Sequence, residues 1–180
     1  MLKIIGQVLL VIVSMAYPLL WYYGREQGAF VGLAAAMCGL WLMRAVWQKT
    51  RAQQVVSVLL ALFFAGVLVW RQPASMYWYP VVVSLLMLAI FGASLFTQQT
   101  VIERLARLQY PDLPPAGVRH TRRVTQIWCV FFIGNASMAA LLAVWGQHDW
   151  WAIYTGVISY GVMGILFAGE WVYRKWVLKV

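Results

Sequence analysis

Three features of this chain predict an all-α, polytopic membrane bundle of six transmembrane helices: its apolar content, the continuity of its apolar runs, and the placement of its basic residues. Of its 180 residues, 63% are hydrophobic and 11% charged, whereas soluble domains carry about 45–50% and about 25%. That balance excludes an ordinary soluble globule. It also excludes intrinsic disorder, which needs low hydrophobicity. Two cysteines are too few for a disulfide-stapled scaffold. The runs are continuous rather than alternating every second residue, which argues against a β-barrel. The whole chain, residues 1–180, reads as one membrane domain.

A helix needs ~20 apolar residues, within about 17–25, to cross a bilayer. The first run, residues 4–23, is broken only by Gln7 and Ser14. Lys3 and Ser14-Met15-Ala16 also suit a cleavable export signal, but the run continues to Tyr23, which favours a retained span. The second, residues 28–47, includes Arg44, which can snorkel to the interface. The third, residues 53–70, borrows Gln53 and Gln54 to reach length. The fourth, residues 76–96, carries Pro80 near its start, where a proline costs a helix least. Residues 127–146 and 150–169 make the fifth and sixth.

Basic residues then orient the bundle. Lys3, Arg44, Lys49, Arg51, Arg104, Arg107, Arg119, Arg122, Arg123, Arg174, Lys175 and Lys179 fall on one side, and only Arg25 and Arg71 on the other. Positive residues stay cytoplasmic, so both termini are expected in the cytoplasm. Aromatic clusters at Trp21-Tyr22-Tyr23, Tyr77-Trp78-Tyr79, and Trp145 with Trp150-Trp151 mark the outer boundary. Gly28 and Gly32, and Ala152, Gly156, Gly161, Gly164 and Ala168, suit close helix packing within the chain or a homodimer contact. Inverted three-plus-three symmetry, the mark of many transporters, is not visible.

Residues 97–126 form the one long loop, far beyond the ~2–8 residues usual between bundle helices. Residues 98–109 read as an amphipathic surface helix, with Val101, Ile102, Leu105 and Leu108 on one face and Glu103 and Arg107 opposite. Pro111, Pro114 and Pro115 then exclude helix. Arg119, Arg122 and Arg123 follow. The bland reading of the five loop arginines is an orientation signal with attraction to anionic lipid, ~1 kcal/mol each. The sharper one makes Arg104, Arg107, Arg119, Arg122 and Arg123 a docking patch for a phosphate or an acidic carrier protein, since arginine's planar fork suits such groups.

Within the spans, polar candidates are few. Glu170 lies four residues before Arg174 and is expected to pair with it, or else to serve in binding or proton handling. Asn135 is expected to hydrogen-bond a neighbouring helix. His120 and His148 fall on opposite sides of the membrane, and Cys38 and Cys129 read as apolar filler. No metal or cofactor is expected, nor a nucleic-acid partner. Nothing resembles a nucleophile with its base, which leans away from an enzyme.

Ile102-Glu103-Arg104-x-Ala106-Arg107, then Leu113-Pro114-Pro115, then Thr121-Arg122-Arg123-Val124-Thr125-x-x-Trp128-x-x-Phe131-Phe132 carry a resemblance. Tyr154-x-Gly156, Tyr160, Gly164-x-Leu166-Phe167-x-x-Glu170 and Arg174 extend it. The pattern resembles a family of small bacterial inner-membrane proteins, typically encoded in gene clusters for aryl polyene (xanthomonadin-like) pigment lipids. It covers spans four to six. What it implies is a context rather than a reaction: an accessory membrane protein for aryl polyene lipid assembly or handling. The implied partners are membrane lipids and an acidic acyl carrier protein or other polyene biosynthetic enzymes. A lipid transporter or flippase, and a scaffold gathering soluble enzymes at the membrane, are the competing classes.

Overall fold

A computed structural model describes residues 2–26 and 28–174, and every regular element among them is helical. The order is α1 (Leu2–Gly24), α2 (Phe30–Trp47), α3 (Arg51–Trp70), a 3-10 turn (Pro73–Trp78), α4 (Tyr79–Ser94), α5 (Val101–Arg107), α6 (Pro115–Val144), α7 (His148–Ile153), a π turn (Tyr154–Ile158) and α8 (Ser159–Tyr173). Five segments are long and apolar enough to cross a membrane: Phe30–Trp47, Arg51–Trp70, Pro73–Ser94, Pro115–Val144 and His148–Tyr173. That is compatible with a multi-pass membrane protein. Large apolar side chains stand exposed on these helices, among them Val69, Val130 and Ile165, a surface that water alone would penalise. The charges counted on Lys175, Lys179 and the side chain of Lys3 lie outside the described residues.

Local chemistry sets the turns. Gly24 ends α1 because a Cβ there would lie 2.9 Å from the Ala29 Cβ, and Gly28 follows at φ +71°, a left-handed geometry glycine takes without cost. Gln54 Nε2 donates to the Gln48 carbonyl at 2.9 Å and closes the turn between α2 and α3. α3 ends on Arg71, also left-handed at φ 50°, whose N–H reaches the Val67 carbonyl. Pro73 opens the 3-10 turn and Pro80 falls in the first turn of α4, positions where a missing N–H costs little.

The chain divides into two compact units. The first takes Met1–Val82 and Ala139–Val157. Tyr17, Trp21, Met37, Leu60, Phe64, Met76 and Trp151 are fully buried in it. The Tyr17 ring meets Phe64 edge-on and tilts against Tyr79 at 4.5 Å. Trp151 Nε1 donates to the Tyr77 carbonyl at 3.2 Å, and the His148 ring stacks on the Tyr77 ring. The aromatic clusters expected at a membrane boundary are therefore split. Trp21, Tyr77, Tyr79 and Trp151 turn inward as core, while Tyr23, Trp78, Trp145 and Trp150 point out.

The second unit takes Val83–Met138 and Ile158–Val180. Val124, Trp128 and Phe132, spaced four apart on α6, form its buried stripe, with Phe91, Ile102 and Leu166 packed against it. Phe91 meets Phe132 edge-on at 5.2 Å, and Phe167 lies 4.8 Å from Trp128. One expectation is corrected here. Residues 115–126 are helical rather than loop, so Arg119, Arg122 and Arg123 ride on α6. Pro115 starts the helix instead of blocking it, because the first helical N–H is unpaired in any case and the proline φ suits that position. The expected helix over residues 98–109 is also shorter, Val101–Arg107.

A candidate site where helices five, six and eight meet

The site is built from the chain between α4 and α6. Ser94 Oγ donates to the Phe91 carbonyl and accepts from the Val101 N–H at 3.1 Å, joining the end of α4 to the start of α5. Thr100 caps α5, its hydroxyl accepting from the Glu103 N–H at 3.3 Å. Seven residues make too short a helix to stand alone in water, and side chains hold this one. Arg104 donates to the Gln99 carbonyl and to the Thr97 hydroxyl. Arg107 grips Glu103 through two nitrogens at 2.9 Å and donates to the Pro111 carbonyl at 2.8 Å. Glu103 is buried, while Leu105 and Leu108 are 56% and 81% exposed. Ile102 packs inward against the Trp128 stripe while Arg104 is exposed, so α5 presents a mixed outer face of Leu105, Leu108 and Arg104.

After α5 the chain turns through Leu113 and Pro114 into α6. The Leu113 side chain folds over Gly117, where a Cβ would sit 2.9 Å from the Leu113 Cγ. Between α5, this turn, the start of α6 and the end of α8 lies a half-open cavity of about 400 Å³. Its walls are mostly apolar, with Ile102, Leu105, Leu113, Trp128 and Phe167 among them. Its polar edge is His120, Glu170 and Arg174. His120 Nε2 lies 3.4 Å from Glu170 Oε1, and the His120 ring stacks on Tyr173. Arg174 approaches the same carboxylate oxygen most closely through Nε, at 3.7 Å.

No known protein-family model, curated protein or solved structure matches this chain.

The candidate residues from the sequence separate into groups. Arg107 is spent on Glu103 and Pro111, and Arg104 on the chain before α5. Arg122 is exposed and donates to the Leu95 carbonyl at 2.9 Å. Arg119 and Arg123 are exposed and carry no partner among the described residues. They stand four apart, hence on one helical face. Glu170 and Arg174 pair as expected, at a long distance. Asn135 meets a neighbouring helix as expected: its Nδ2 donates to Ser84 Oγ on α4 at 2.9 Å, while its buried Oδ1 has no hydrogen bond among the described residues. The sequence places His120 only on the membrane side opposite His148. Its contact with Glu170 spans 50 residues of sequence, and no helical spacing rule signals a pairing at that separation. Thr100, three residues before Glu103, carried a legible signal in its capping pattern.

Proposed function

We propose that the chain is a six-span inner-membrane protein with both termini cytoplasmic, acting as an accessory factor in aryl polyene lipid assembly or handling. It docks an acidic carrier protein, or a lipid phosphate, through an arginine-bearing cytoplasmic face. Six spans are supported by the five long apolar segments together with α1, a further apolar helix of 23 residues. The even count puts both ends on one side, and the basic residues select the cytoplasm. In that orientation the exposed Leu105 and Leu108 meet the lipid surface.

The observation that carries docking is the exposure of Arg119, Arg122 and Arg123 within about one turn of α6, two of them without a partner among the described residues. Unspent guanidinium forks suit phosphate or carboxylate groups. The polyene context rests on the sequence resemblance. In the native host, replacing all three arginines with glutamate should abolish pigment while the protein still accumulates in the membrane. It should also remove the carrier protein that co-purifies with wild type in mild detergent. Normal pigment in that mutant rejects the reading. A lipid that co-purifies equally with both forms moves a lipid flippase ahead of it.

A further inference from the structure

We infer that the cavity between α5, α6 and the end of α8 binds a single-chain amphiphile with an anionic head, a carboxylate or a phosphate. The volume, about 400 Å³, falls within the ~300–1,000 Å³ of small-ligand sites, which pair apolar walls with a few polar groups that fix orientation. Ile102, Val124, Trp128 and Phe167 supply the apolar wall for a chain. Leu105, more than half exposed beside the opening, gives that chain an apolar path inward.

The sign of the head group follows from an asymmetry at the polar edge. Glu170 is approached from two sides, by His120 at 3.4 Å and by Arg174 at 3.7 Å. The nearest approach of Arg174, through Nε, is beyond good hydrogen-bonding length. Its two terminal nitrogens have no partner among the described residues, and its side chain is 34% exposed at the cavity edge. The guanidinium thus makes no close hydrogen bond to Glu170, and its N–H donors stay available to a ligand. A fork of parallel N–H donors matches carboxylate or phosphate oxygens and repels a cationic head. This inference does not depend on docking at Arg119, Arg122 and Arg123, which line no part of the cavity.

The test is a fluorescence titration of the full chain in uncharged detergent with dibromostearate, whose bromines quench tryptophan on contact. Saturable quenching is expected, and Trp128→Phe should lose that saturable part. Arg174→Gln should weaken half-saturation about tenfold, or ~1.4 kcal/mol, with Arg174→Lys between the two. Ala116→Phe, which adds bulk from an exposed position on the lining, should block binding even if Arg174→Gln fails to fold. The triple glutamate variant at Arg119, Arg122 and Arg123 should bind as wild type does. Dodecanoate and dodecyl phosphate should displace the probe and dodecyltrimethylammonium should not. Stronger displacement by the phosphate identifies a lipid phosphate as the source, and stronger displacement by dodecanoate a free fatty acid. Quenching that never saturates, that survives in Trp128→Phe and Ala116→Phe, or that yields equally to the ammonium compound, overturns the proposal.

Discussion

The Tyr17 hydroxyl donates to the Met76 carbonyl at 2.8 Å and lies 3.4 Å from the Met76 sulfur, although 59 residues separate the two in sequence. Both side chains are fully buried. The contact ties α1 to the 3-10 turn and gives a second donor to a carbonyl that also accepts from the Tyr79 N–H. Phe64 and Tyr79 pack around the Tyr17 ring, so the hydroxyl needs this acceptor, since a polar group buried without a partner is costly.

Tyr17→Phe should therefore destabilise the protein by ~0.5–1.5 kcal/mol, the net worth of one hydrogen bond, because the carbonyl keeps the Tyr79 N–H. Tyr17→Ala should cost ~3–5 kcal/mol, because a cavity is added. Thermal unfolding in detergent, followed by light scattering, reads both. A Tyr17→Phe protein as stable as wild type would show that the Tyr79 N–H alone satisfies the carbonyl.

Arg71→Gly should stabilise. A non-glycine residue in the left-handed region costs ~1–2 kcal/mol, and Arg71 sits there at φ 50° as the cap of α3. Part of that gain is lost to the greater freedom of glycine in the unfolded chain, leaving about 0.5–1 kcal/mol. A lower unfolding temperature for this variant would mean that the Arg71 side chain contributes more than its backbone strain costs.

Asn135 and Ser84 should respond unequally. Ser84→Ala removes the acceptor of the part-buried Asn135 Nδ2 bond and leaves that nitrogen unpaired beside the buried Oδ1, at ~1–3 kcal/mol. Asn135→Leu deletes both amide atoms at once and should cost less, under ~1 kcal/mol. If Asn135→Leu is the more damaging change, or if it abolishes lipid movement in reconstituted vesicles with folding intact, the amide does more than join two helices.

Gly117→Ala should disturb the cavity before it disturbs the fold. The added Cβ would sit 2.9 Å from the Leu113 Cγ, so Leu113 must swing away and the wall it forms must change shape. Dibromostearate binding should fall severalfold while the unfolding temperature moves little. Unchanged binding would mean that the Leu113 wall is dispensable.

The all-α class and the apolar segments were legible because uninterrupted apolar runs need only counting. Boundaries were less so. Prolines read as helix-excluding proved to include a helix start at Pro115, since a proline's effect depends on whether its N–H would have been used. The aromatic clusters were legible as boundary markers but not as core. Trp150 and Trp151 are adjacent, yet one is exposed and the other fully buried, because a 100° step per residue sends neighbours to different faces. The Glu170–Arg174 pair was legible from its four-residue spacing, whereas His120 beside Glu170 depends on how α6 meets α8. Arg107 beside Glu103 was legible from the same spacing, whereas its bond to the Pro111 carbonyl depends on the turn after α5.

The fastening of α5 has a consequence for how its sequence can drift. Thr97, Thr100, Arg104 and Arg107 contribute side chains, whereas Gln99 and Pro111 contribute only carbonyl oxygens. Every residue type carries such an oxygen. Natural variation is therefore expected to spare Thr100, Arg104 and Arg107 while exchanging Gln99 freely, so that the latch outlives the identity of one of the residues it holds.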